Sequence, residues 1–106
     1  MKRCAFMMKL KAECIDIYTK RHDEIWPELE KELQAAGILN YSISFEKETH
    51  LLFATQELSD DNTADGLPQT DIVKKWWGFM SDIMVTEDDG FTPWVKSLDE
   101  VYYMKA

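Results

Sequence analysis

The apolar residues of this chain change period at one glycine. Upstream of Gly37, the residues Ile15, Tyr18, His22, Ile25/Trp26, Leu29, Leu33 and Ala36 recur at steps of three or four, the repeat of one helix face. Downstream, Leu39, Tyr41, Ile43 and Phe45 alternate with Asn40, Ser42, Ser44 and Glu46, the repeat of a half-buried strand. Each segment has a single apolar face and must cover it with another element, so helix on sheet is the natural layering. Gly37 takes the position just past the helix end, where a left-handed backbone is usual. Pro27 interrupts the run and disfavours helix at Trp26. The helical stretch 12–36 is therefore expected as two pieces, 12–23 and 27–36, with a bend between them.

The same reading places a strand over residues 3–10 and another over 50–57, which follows the polar turn Lys47-Glu48-Thr49 and closes a hairpin. An acidic stretch, Ser59–Gly66, is broken by Gly66 and Pro68. Residues 69–83 form a second helix whose broad apolar face holds Ile72, Val73, Trp76, Trp77, Met80 and Ile83, with Thr70 or Asp71 placed to cap it. Residues 86–97 read as loop, and 98–105 as a closing strand. Strand, helix, strand, strand, helix, strand is the α+β, ferredoxin-like split βαβ order, here filling a single domain over residues 1–106. Such a sheet carries both helices on one face and leaves the other bare. A second copy stacked on that bare face would bury it, so a homodimer is expected.

Within this frame Tyr18 and His22 lie one turn apart on the inward helical stripe, with Trp26 a turn further on. A phenol and an imidazole pointed at a core need partners, because an unpaired buried polar group is costly. Imidazole is also the side chain that changes charge most readily near neutral pH. Tyr41 enters from the apolar side of the neighbouring strand. Trp76 and Trp77, about 100° apart around their helix, give flat indole walls that suit the C–H face of a sugar ring, each with one N–H to donate. The bland alternative is that Tyr18, His22, Tyr41, Trp76 and Trp77 are all core.

Charge narrows the partners. With 20 acidic and 12 basic residues the net charge is −8, which repels nucleic-acid phosphates and anionic lipid and leaves a neutral ligand such as a sugar unopposed. No nucleic-acid or membrane partner is expected. Cys4 and Cys14 form no CxxC and read as free thiols of a cytoplasmic protein. The apolar run Cys4–Met8 is too short for a signal segment. His22-Asp23-Glu24 lacks a second histidine at ligand spacing, His50 reads as a surface residue, and an acidic loop begun at Asp61 puts Ile72 where calcium needs a carboxylate, so no metal is expected. Four glycines provide no phosphate cradle.

The string Tyr18-Thr19-Lys20-Arg21-His22-Asp23-Glu24-Ile25-Trp26-Pro27-Glu28-Leu29 resembles the signature of the L-rhamnose mutarotase family. Asn40-Tyr41-Ser42-Ile43, Leu51-Leu52-Phe53-Ala54 and Trp76-Trp77 followed by Met80 and Asp82 resemble it in the same order and spacing. The likeness covers nearly the whole chain and is strongest over residues 16–58 and 70–84. Segments 59–69, with Gly66 and Pro68, and 86–97, with Phe91 and Trp94, depart from it. The resemblance implies a dimeric α/β barrel and an isomerase that exchanges the α and β anomers of L-rhamnose with no cofactor. It implies His22 as proton donor and Tyr18, Tyr41, Trp76 and Trp77 as sugar-binding residues. The same barrel also suits a small monooxygenase or a non-catalytic sugar-binding module, which the residues alone leave open.

Overall fold

A computed structural model describes all residues, 1–106. The elements run β1 (Lys2–Lys9), α1 (Ile15–Asp23), α2 (Pro27–Ala35), β2 (Ile38–Glu46), β3 (Leu51–Leu58), α3 (Asp71–Met80) and β4 (Val95–Leu98), with a 3₁₀ turn at Ala64–Gln69. The sheet order is β2-β3-β1-β4, and every pair is antiparallel. This is the expected α+β split βαβ arrangement.

Alternation along the strands sets which face each side chain takes. Register pairs Met8 with Leu52, Phe6 with Ala54, and Ala54 in turn with Ile43, so these residues share one face. Leu52 and Ala54 are each 1% exposed. Tyr18 of α1, Leu29 of α2 and Val73, Trp76 and Met80 of α3 pack onto them in one cluster. The opposite face carries Met7, Phe53 and Leu98 among polar residues, with Phe53 and Leu98 left well exposed.

The helical stretch divides where proline demands. Trp26 has φ −65° and ψ 126°, an extended backbone, and Pro27 opens α2. α1 starts at Ile15 rather than residue 12 because Glu13 has φ +63°, which no right-handed helix accommodates. Gly37 has φ +96°, and a Cβ there would sit 2.8 Å from Asn62 Cβ and against Ser59 Oγ. Both the backbone and the space thus require glycine where helix turns into strand. The β2–β3 turn is closed by the Glu46 carboxylate, which accepts bonds from the Glu48 and Thr49 N–H groups at 3.1 and 2.8 Å. Thr70 does sit at the N-terminal cap position of α3, but its hydroxyl donates back to the Leu67 carbonyl at 2.7 Å instead of capping.

Two expectations need correction. His50 is half-buried, its ring 6.3 Å from that of Phe45, with φ +62° just ahead of β3. The closing strand is Val95–Leu98, which shares only Leu98 with the strand expected over 98–105 and otherwise lies in the segment read as loop, and residues 99–106 form no strand. An edge strand exposed along its whole length shows no alternation to read. Beyond it, the ladder gives way to side-chain bonding. The Arg3 guanidinium binds both carboxylate oxygens of Glu100 at 2.8 and 2.9 Å and lies 3.3 Å above the Tyr103 ring. The apolar run that mimicked a strand is exposed, Val101 at 94% and Tyr102 at 77%.

Candidate active site

Between the helices and the inner face of the sheet lies a cavity of about 490 Å³. All five residues expected to bind or act on a ligand line it: Tyr18, His22, Tyr41, Trp76 and Trp77. One turn of α1 separates Tyr18 from His22, and their rings stack with centroids 4.2 Å apart. The Trp76 indole meets the imidazole edge-on at 5.4 Å. Trp26, a turn beyond His22 at the helix break, does not line the cavity. It packs edge-on behind Trp76 at 5.1 Å and against Phe79 at 5.4 Å, backing the wall rather than forming it.

The two adjacent tryptophans divide as their 100° offset requires. Trp76 is 9% exposed and belongs to the core cluster. Trp77 is half-buried and abuts Phe91 at 6.2 Å, so the departing loop 86–97 does reach a wall of the cavity. Tyr41 projects from β2 toward Phe6 of β1, ring to ring at 6.2 Å. Between those two strands runs β3, and small Ala54 at this level leaves room for the approach.

His22 Nδ1 lies 3.0 Å from the Tyr18 carbonyl oxygen. A carbonyl can only accept, so this bond requires the proton on Nδ1. In the neutral ring Nε2 then keeps the lone pair, and it makes no hydrogen bond within the chain. One nitrogen is held by backbone; the other is available for proton exchange. Tyr18 is 6% exposed, and burial, with the neighbouring Tyr41, holds its phenol well above the ordinary value for tyrosine. Tyr41 is 38% exposed over the whole residue, yet the part of it set into the cavity is desolvated enough to push its phenol up to about 12, with Cys4 adding to the rise and a bond from Gln56 opposing it. Both phenols are neutral donors at pH 7.

These raised values have a signed consequence. A phenol whose folded pKa exceeds its unfolded value of about 10 favours the native state fully below pH 10. That contribution is lost as pH rises through the folded value, about 12 for Tyr41. Thermal stability is therefore expected to fall between pH 10 and 12, and Tyr41→Phe to flatten part of that fall. Melting scans at stepped pH, with phenolate absorbance at 295 nm followed in parallel, check both. An identical alkaline profile in Tyr41→Phe would contradict the assignment.

The L-rhamnose mutarotase family model matches residues 3–104. The chain belongs to the L-rhamnose mutarotase family. The match runs through both departing segments, so they are variations within the family rather than additions to it. An L-rhamnose mutarotase of Formosa agariphila is 44% identical over 99% of this chain and 100% of its own length. One of Jannaschia sp. is 41% identical over 98% of this chain and 99% of its own. The crystal structure of the Formosa agariphila L-rhamnose mutarotase superposes with a TM-score of 0.89, at 44% identity, covering 99% and 100% of the two chains. A dimeric ferredoxin-like protein from an uncultured marine organism, 18% identical with a TM-score of 0.59 over 98% of this chain and 91% of that one, shares the fold.

Sequence reasoning did not single out every residue here. Asp23 and Glu30, both exposed, also border the cavity, while Ile43, Phe45, Met8 and Leu52 supply an apolar floor. Ile43 and Phe45 of that floor are legible in strand alternation; Met8 and Leu52 lie in strands whose sequence shows no single apolar face. Asp23 and Glu30 gave no signal, since an exposed carboxylate on a helix is ordinary.

Proposed function

We propose that this protein is an isomerase that interconverts the α and β anomers of L-rhamnose. The single observation that carries the reading is the imidazole of His22 on an aromatic-walled cavity, Nδ1 tied to backbone and Nε2 unbonded, in a chain of this family. A cavity lined by fifteen hydrophobic residues out of twenty suits a 6-deoxy sugar, whose methyl group needs no polar partner.

Anomer exchange breaks the C1–O5 bond, turns the open aldehyde about C1–C2 and recloses the ring on its other face. The O1–H proton must leave and O5 must gain one, with no change in oxidation state. Protonated on both nitrogens, His22 gives the Nε2 proton to O5 as the C1–O5 bond opens. Asp23 and Glu30, the two acidic residues that border the cavity, are the candidate acceptors for the O1 proton. Ring closure runs the same transfers in reverse. The neutral phenols of Tyr18 and Tyr41 donate to sugar oxygens, and Trp76 and Trp77 flank the ring. The second copy expected from the exposed Phe53 and Leu98 would cover the outer sheet face, giving a homodimer. The unpaired Cys4 and Cys14 fit a reducing compartment such as the cytoplasm, and no helix is long and apolar enough to cross a membrane.

Saturation transfer between the two anomeric proton signals of L-rhamnose tests the reading. Catalytic amounts of protein should speed exchange well above the buffer rate, and more for L-rhamnose than for mannose or fucose. Exchange no faster than in buffer, with the sugar nevertheless bound, would make this a binding module instead.

A further inference from the structure

His22 sits on a helix with little to hold it. In α1 only Tyr18 is buried, Ile17 is 40% exposed, the N-terminal cap makes no side-chain bond, and the helix ends at Asp23, three residues before the extended Trp26. Its neighbour Arg21 does the anchoring. Arg21 Nη1 donates to the Phe79 carbonyl at 2.9 Å and to Asp82 Oδ1 at 2.8 Å, and Nη2 donates to Asp82 Oδ2 at 3.1 Å. The guanidinium also lies 4.4 Å over the Phe79 ring, which packs on Trp76 at 5.7 Å. Arg21 makes every hydrogen bond between α1 and the α3 region, all of them to its C-terminal end. The ring that Arg21 covers thus packs on the indole that meets His22.

We propose that Arg21 is a positioning residue: its grip on Asp82 and Phe79 fixes the last turn of α1 so that His22 is held against Trp76. A paired, bidentate guanidinium gives orientation as well as attachment, which one ammonium does not supply. Asp82 is 63% exposed, so solvent screens its charge, while the Arg21 side chain is only 14% exposed and is held in one geometry by the two-oxygen grip. Displacing a proton-transfer group by about 1 Å costs up to about 100-fold in rate. The proposal rests on the anomer-exchange reading for its kinetic consequence, but not for its structural one.

The test compares wild type with Asp82→Asn, Arg21→Lys and Arg21→Ala. The chain has two histidines, so the ring ¹⁵N signals of His22 are read beside those of His50 as an internal control. In Asp82→Asn and Arg21→Ala the His22 signals should shift while those of His50 stay. Exchange turnover should fall about tenfold or more, with L-rhamnose affinity by tryptophan fluorescence changed less than about threefold. Arg21→Lys should stay impaired. Unmoved His22 signals in both Asp82→Asn and Arg21→Ala overturn the proposal. So does full recovery in Arg21→Lys, or a loss of turnover matched by equal losses of affinity and melting temperature, because each marks a merely structural pair. If wild type does not exchange anomers, the proposed function fails, and the His22 signals still decide whether Arg21 positions the ring.

Discussion

Replacing His22 by alanine should lower catalysed anomer exchange by about 10²–10⁴-fold, the usual worth of a positioned general acid or base. Sugar affinity should change far less. The walls that hold the ring, Trp76, Trp77 and the two phenols, remain in the variant, and a group that acts only as bonds are broken lowers turnover rather than ground-state binding. His22 is half-buried and stacks on Tyr18, so truncation also removes packing, at a cost of about 1 kcal/mol. A second variant, His22→Gln, separates the two effects. Its amide fills similar space and can bond the Tyr18 carbonyl, but it does not exchange protons near pH 7. Both variants should be equally slow despite different melting temperatures. Saturation-transfer rates at matched sugar concentrations provide the measurement. A wild-type rate in His22→Gln would move proton transfer to Asp23, Glu30 or the phenols, which share the cavity.

Much of this site is readable because its residues repeat with the elements that carry them. Tyr18 and His22 fall on one stripe of α1, and Tyr41 on the apolar side of β2. The spacing alone therefore aims three of the five expected residues inward, and all three line the cavity. Periodicity reports direction, however, and says nothing about depth. Trp26 and Trp76 both lie on apolar stripes, yet one backs the cavity and the other lines it. Pairing between distant residues is not legible at all. Arg21 and Asp82 are 61 positions apart, and neither shows locally that the other exists. The closing strand is misread for a related reason. Val95–Leu98, not the more apolar run after it, pairs with β1, and just past the strand Glu100 meets Arg3 from 97 positions away, a contact that neither residue announces locally.

Trp76→Ala should be the most destabilising single change at the site. The indole is 9% exposed and touches His22, Trp26 and Phe79 while packing into the central cluster. Truncating a buried tryptophan typically costs about 3–5 kcal/mol, part transfer and part cavity. A domain of this size has about 5–15 kcal/mol to lose. The melting temperature should drop by roughly 12–40 °C, since each kcal/mol moves a small domain by about 4–8 °C. Trp77→Ala is expected to do much less to stability, because that ring is half-buried and packs against the edge of the central cluster, with Phe91 beside it, instead of lying within it. Its loss should appear instead as weaker sugar affinity. Trp76→Phe, which keeps most of the volume but loses the N–H, should recover at least half of the stability lost in Trp76→Ala. The comparison separates the two indoles by what each contacts: one belongs to the core and meets the imidazole, while the other lines the cavity from its edge and is expected to act on sugar affinity. Equal melting temperatures for Trp76→Ala and Trp77→Ala would mean that the packing around Trp76 contributes no more than that around Trp77, and the division of labour between them would have to be abandoned.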